Sequence, residues 1–216
     1  MRACPAVTDG ATTAALATAA STFVLALVTL AAVRSANRSA RTAEVALQEQ
    51  RRPVFMPSRL GDPMQKIMFV DEHWVRVEGG RASAEHVGDV VYLVMSLRNV
   101  ATGIGVLQGW SVAAGLQTSL VDHVPVDQMR QHTRDLYIPA GDIGLWQGAL
   151  RDPDEPVFAE IVGAIEDRQP ISVDLLYTDQ VGAQRTISRF TLIPAGEASR
   201  VVSSGRHWYL DTVGPR

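Results

Sequence analysis

Cysteine is nearly missing. Cys4 stands alone, so no disulfide within the chain can staple the fold, and thiols say nothing about redox compartment. The opening Met-Arg-Ala-Cys leaves no apolar signal ahead of that cysteine, which argues against a lipoprotein anchor there. Palmitoylation near a membrane is a weaker reading than a plain thiol. Lysine is as scarce: Lys66 is the sole one, and arginine carries the rest of the positive charge. With abundant Ala, Gly and Val, that bias reads as GC-rich bacterial coding rather than functional demand. Up to Arg52, six arginines face three acids, a surplus of three. The whole chain is −3, so the remainder carries −6. Nucleic-acid binding depends on basic groups that displace counterions. An acidic body therefore excludes it as an expected partner.

Charge itself is absent from Gly10 to Val33. Roughly 20 apolar residues in a helix cross the ~30 Å hydrocarbon layer, so residues 10–33 are long enough to span a lipid bilayer. Phe23-Val24-Leu25-Ala26-Leu27-Val28 is the apolar heart. Interspersed threonines are tolerated because their hydroxyls bond back to the preceding turn. A cleaved secretory signal is the competing reading. Against it stand a positive flank reduced to Arg2, offset by Asp9, and an apolar run longer than such signals use. Arg34, Arg38 and Arg41 follow the run directly. Positive flanks stay in the cytoplasm, so the amino end is expected outside and the body inside.

Glycine and proline are missing from residues 34–50, where Ala, Leu, Glu, Gln and Arg favour helix. The spacing predicts that the span continues as one helix of some 40 residues, ~60 Å long at 1.5 Å per residue, and ends before Pro53. Residues 34–52 then form a juxtamembrane helical stalk. Ala43, Val45, Ala46 and Leu47 do not repeat over enough heptads for a coiled coil. A spacer with arginines against anionic headgroups fits better.

After Pro53, short apolar stretches alternate with Gly, Pro, Asp and Asn. Val90–Asn99 is the clearest strand, with Val91, Leu93, Met95 and Leu97 on one face and Tyr92, Val94, Ser96 and Arg98 on the other. Further strands are expected over 106–114, 136–138, 143–150, 171–178, 183–193 and 207–210. Asp179-Gln180-Val181-Gly182 serves as a hairpin connection. One helix is expected over 155–167, from the spacing of Val157, Ile161, Val162 and Ile165 and from Pro156 in its first turn. Seven or eight short strands with few helices point to an antiparallel sandwich. The break Asn99-Val100-Ala101-Thr102-Gly103-Ile104-Gly105 and the late Tyr177-Thr178-Asp179 hairpin resemble immunoglobulin-like modules of bacterial single-pass membrane proteins. This resemblance covers residues 53 to 212. It implies an immunoglobulin-like β-sandwich and a role in contact, and it carries no catalytic residues. The Cys-Trp-Cys signature of antibody domains is absent.

Candidate chemistry is thin. Gly109-Trp110-Ser111-Val112-Ala113 falls one residue short of the G-x-S-x-G elbow, in which a serine sits on a strained strand-to-helix bend. Asp174 and His207 could complete a hydrolase triad, but Ser111 reads better as a sheet-surface serine. Gly103, Gly105 and Gly109 miss the dinucleotide spacing and precede a strand rather than a helix, so they read as turn and bulge residues. His73, His86, His123, His132 and His207 lack the i, i+4 spacing of a helical zinc site. The neighbours Asp71-Glu72-His73 and Asp122-His123 read as surface groups. Asp152, Asp154 and Glu155 lack the alternation of a calcium loop and suit a solvated helix entry. Trp74, Trp110, Trp146 and Trp208 fall one per expected strand and read as buried, with one or two at a rim able to form a contact surface.

The expected chain is mainly β: tail 1–9, transmembrane helix 10–33, stalk 34–52, β-sandwich 53–212, tail 213–216. No catalytic, metal or cofactor-binding residue is assigned and no enzyme is expected. The expected function is a membrane-anchored module that binds a protein partner at the cytoplasmic leaflet. The alternatives are an exported cell-envelope domain and a serine hydrolase built on Ser111.

Overall fold

The computed structural model describes residues 8–118 and 120–211. Cys4, Arg2, most of the expected 1–9 tail and the whole 213–216 tail lie outside them. By contact density the chain divides after Glu49.

The first unit is helix α1, Thr8–Arg51. At about 1.5 Å per residue its 44 residues make one rod through both the expected span and the expected stalk. It is long and apolar enough to cross a membrane near the amino end. Its hydroxyls are returned to its own backbone. Thr18 Oγ1 donates to the Ala14 carbonyl at 2.9 Å, Thr22 to Thr18 at 2.8 Å and Thr29 to Leu25 at 2.8 Å, which removes the cost of an unmet donor in hydrocarbon. Phe23, Leu25 and Val28 stand exposed on it.

The second unit begins at Gln50. Its elements are β1 (Phe55–Pro57), β2 (Gln65–Met68), β3 (Trp74–Val77), β4 (Arg81–Val87), β5 (Val90–Asn99), β6 (Gly105–Ala114), β7 (Arg130–Ile138), β8 (Ile143–Leu150), α2 (Pro156–Glu166), β9 (Ile171–Asp179), β10 (Thr186–Pro194) and β11 (Ser199–Tyr209). Every strand pairing is antiparallel. β2 and β3 form a separate hairpin. The other nine strands form one sheet: β5 lies between β8 on one side and β1 and β4 on the other, and the path continues β4-β11-β10-β9-β6-β7. β4 meets β11 through only three register pairs, Ala82↔Arg200 at their centre.

This sheet turns back over its own interior. Val91, Leu93, Met95 and Leu97 of β5 share one core with Ile171, Val173, Leu175 and Tyr177 of β9, although three strands separate them along the sheet. Helix α2 closes that core with Phe158, Ile161 and Ala164. Its inward ridge thus falls on Phe158 and Ala164 beside the expected Ile161, while Val157, Val162 and Ile165 are partly buried.

β5 and β9 are covered on both faces. Tyr92 and Val94, on the far face of β5, lie under Ile67, Phe69, Val75 and Val77 of the β2–β3 hairpin. Leu176 of β9 lies with Ile187, Trp208 and Met129 in a third cluster on the other outer face. The alternation in Val90–Asn99 correctly divides two faces, but both are dry.

Asn99, at the end of β5, is wholly buried. Its carboxamide oxygen accepts from the amides of Val54 (3.4 Å) and Ala101 (3.2 Å). Its nitrogen donates to the carbonyls of Gly103 (2.6 Å) and Ile138 (3.1 Å). The Thr102 hydroxyl bonds the Gln50 carbonyl. The residue read as a turn former is therefore a hub joining the chain's entry into the domain to two later connections.

One other expectation needs correction. β10 starts at Thr186, not Ala183, because the Asp179 carboxylate takes the amides of Ala183 (2.8 Å) and Gln184 (3.3 Å) and widens the turn. Gly103 lies in the bend between β5 and β6, as expected of a turn residue, and none of Gly103, Gly105 and Gly109 has a left-handed φ. Each is small because something lies against it: a Cβ on Gly105 would sit 2.2 Å from Cζ of Phe55. Gly109 does adjoin a register slip against β7 and β9.

Overpacking of this kind costs about 1–3 kcal/mol. Gly105→Ala should lower the unfolding free energy by that amount in urea titration of the full chain in detergent. Gly61→Ala, where a Cβ meets nothing within 4 Å, should leave it unchanged.

Candidate functional site

Ser111 sits in the middle of regular strand β6, half-buried, with Asp174 of β9 as its cross-strand neighbour. No strand-to-helix bend lifts it. Asp174 is already engaged: Arg189 of β10 is its register partner, and the guanidinium grips the carboxylate through Nε and Nη2, each at 2.7 Å. Both side chains are almost fully buried. Nη1 of Arg189 also donates to the carbonyls of Thr118 (3.2 Å) and Val121 (2.8 Å), and Nη2 to Asp122 (3.2 Å). Its five N–H groups therefore all have acceptors. The Trp208 ring lies 4.9 Å from the guanidinium carbon, a cation–π contact.

The small cavity beside this pair, about 140 Å³, is lined by Ser111, Gln117, Ser172, Asp174 and Arg189 among others. Ser172 donates to the Gly115 carbonyl at 2.8 Å and accepts from the Gln117 amide at 2.9 Å. The polar groups here bind the segment from Gly115 to Pro125 down onto the sheet. They leave Arg189 no free donor for a ligand.

His207 of β11 is the register partner of Ser188 on β10. Its Nδ1 is 2.5 Å from Ser188 Oγ, which is 2.7 Å from the Tyr177 hydroxyl. Consecutive strand residues point to opposite faces. Ser188 shares the inner face with Phe190, while Arg189 shares the outer face with Ile187. The structure thus joins Ser111 to Asp174 and separates both from His207 by the thickness of the sheet. Burial depresses the His207 pKa below the ordinary imidazole range and pushes Tyr177 up to about 12.

His73, His86 and His123 are engaged as well. His73 Nε2 is 2.9 Å from Glu85 Oε2, and its ring stacks on Tyr92 at 4.1 Å. Asp71 instead accepts from the Tyr92 hydroxyl at 2.6 Å and from Arg151 at 3.2 Å, so the Asp71-Glu72-His73 run is split between two partners. His123 Nδ1 meets the Val124 carbonyl at 2.8 Å, and His86 sets its edge on Phe158. Among the described residues no cluster of His, Cys, Asp and Glu could hold a metal ion. Asp152 accepts from the Asp154 amide, and Glu155, at the start of α2, pairs with Arg130.

Three tryptophans are buried and Trp74 is half-exposed. It stands on β3 with Lys66 Nζ 4.0 Å over its ring. Sequence reading missed this hairpin altogether, since β2 and β3 are four residues each. The Asp174–Arg189 pair was also hidden, because the partners lie on different strands. The usable signal was charge placed inside otherwise apolar strands, which burial tolerates only when paired.

Breaking a buried ion pair from one side costs about 3–5 kcal/mol, whereas replacing both partners with apolar groups is far milder. Arg189→Met should show the full loss in urea, and Asp174→Leu/Arg189→Met should regain most of it. Both variants should be cut faster by protease within 115–125, since three carbonyls lose their donor.

Tyr177 gives a second test. Its folded pKa lies above the unfolded value of about 10, so its contribution is complete below pH 10 and is lost as pH rises through about 12. That is about 3 kcal/mol at 1.36 kcal/mol per unit. Tyr177→Phe should flatten the alkaline limb of a stability–pH curve.

No protein-family model matches this chain and no curated protein matches it, so the chemistry of the site rests on its own side chains.

Proposed function

We propose that the chain is a membrane-tethered, non-catalytic contact module with an immunoglobulin-like β-sandwich as its head. The pairing of β5 with β8, and of β6 with β9 and β9 with β10, supports the sandwich. It follows the B–E and C–F–G neighbours of immunoglobulin-type sheets, with β1 and β4 beside β5 in the place of strand A. Trp110 stands on the third-strand equivalent, edge-on to Trp146, where antibody domains set a tryptophan against a disulfide.

One observation carries the contact role. The segment from Gly115 to Pro125 is clamped by Arg189 and Ser172, yet it holds Leu116 and Leu120 out at 64% and 93% exposure. Large apolar side chains grouped in water are characteristic of binding surfaces. A head tied to the bilayer also meets co-resident proteins at raised effective concentration. Arg34, Arg38 and Arg41 favour the cytoplasmic side for it.

A photo-cross-linker at position 120 in intact membranes should capture one protein reproducibly. Leu116→Asp/Leu120→Asp should abolish capture with the unfolding midpoint unchanged, and undiminished capture would refute the surface. Protease added to spheroplasts should leave the head intact until lysis; cleavage beforehand would reverse the topology.

A further inference from the structure

The β2–β3 hairpin has a dry side and a wet side. Ile67, Val75 and Val77 point inward against β5. The outward side carries two register pairs: Lys66 opposite Arg76 and Met68 opposite Trp74. All four are exposed, Met68 and Trp74 at about half of their surface (51% and 50%). Val70, in the connecting turn, is 91% exposed. Two cations thus sit beside a tryptophan, a thioether and a valine on one small face. The chain's one lysine is among them, in a body that is otherwise acidic. Asp71 is turned onto Tyr92 and Arg151, which leaves Glu72 in the turn and Glu78, exposed just past β3 and lining one cavity with Arg76, as the acids facing these cations.

That grouping has the chemistry of a lipid interface. Indole rings settle at the headgroup level with the apolar body inward and the N–H toward water. Lys and Arg near an anionic surface each gain about 1 kcal/mol, about fivefold in a docked-to-free ratio. The size of the face argues against a protein occupant. Its four outward side chains, with Met68 and Trp74 only about half exposed, fall well below the ~800 Å² of accessible surface per partner of a stable interface. A weak lipid contact suffices here because the tether supplies the local concentration.

We infer that the outward face of β2–β3, made of Lys66, Met68, Trp74 and Arg76, docks on the anionic headgroup layer of the bilayer that holds α1. The inference rests on the proposed membrane tether. It assigns this face to lipid and leaves Leu116 and Leu120 for the protein partner.

Trp74 makes the test direct, since Trp110, Trp146 and Trp208 are buried at 9% exposure or less and α1 contains no tryptophan. The full chain is reconstituted in phosphatidylcholine vesicles containing brominated acyl chains, with and without phosphatidylglycerol. With phosphatidylglycerol present, indole fluorescence should be quenched, and Trp74→Phe should remove that quenching. Lys66→Gln/Arg76→Gln should lower the docked-to-free ratio about 25-fold, at about fivefold per cation, and Glu72→Gln should raise it. Equal quenching of wild type and Trp74→Phe, in protein that resists alkaline carbonate, overturns the docking and leaves the tether standing. Release of the chain by carbonate overturns both. Cross-linking of a cysteine at position 74, in a Cys4→Ser chain, to another protein in place of quenching assigns the face to a protein partner and overturns the lipid reading.

Discussion

Two strands buried along both faces set the requirements that the rest of this domain meets. β5 and β9 face each other across the main core, and each also presents apolar side chains to the far side. At about 25 cal/mol per Å² of apolar surface, leaving Tyr92, Val94, Leu176 and Ile187 in water would forfeit a large share of a stability that is normally only 5–15 kcal/mol. Each outer face therefore needs a cover. The β2–β3 hairpin supplies one, and the segment leading through Met129 supplies part of the other. Neither cover has enough core of its own to stay in place. Polar pins hold them: Tyr92 to Asp71 and His73 to Glu85 for the hairpin, Arg189 with three carbonyls for the segment after Gly115.

This division explains why the charged residues look like chemistry and act as fasteners. Asp62 grips Arg98 through both oxygens while Arg98 reaches the Gly141 carbonyl at 2.7 Å. The guanidinium holds the Asp62 carboxyl below the usual carboxylate range. Asp211 takes the Arg185 amide and guanidinium together. In each case a carboxylate closes a connection between strands. On the outer sides of the covers themselves, by contrast, Trp74, Met68, Leu116 and Leu120 stand exposed.

Long elements with sustained apolar content were legible in the sequence because each repeats its own signal. Polar β11, Ser199–Tyr209, by contrast, was read only from His207, and β7, Arg130–Ile138, only from Leu136. α1 declared itself by an uncharged run followed by a stretch free of Gly and Pro, and β5, β6, β8 and β9 by length and apolar content. The first four strands of the domain were not legible. β1, β2 and β3 have three or four residues each, too few for a period to show, and they are interrupted by Pro57, Gly61 and Pro63. β4, Arg81–Val87, mixes charge with alanine. It is held in place by pairing to β5 rather than by its own propensity. The face of a serine or histidine depends on which strand of a distant pair it joins. The Ser111–Asp174 adjacency and the removal of His207 to the opposite side of the sheet are products of register, which a linear reading cannot supply.

Asn99 has a mechanical meaning as well as a structural one. Any pull on the chain ahead of this domain enters it at Gln50 and Val54. The carboxamide of Asn99 and the short pairing of Phe55–Pro57 with Leu97–Asn99 pass it into β5, the most heavily flanked strand of the sheet. Force is therefore delivered to a strand paired along both edges, and reaches the three-pair seam between β4 and β11 only through β4.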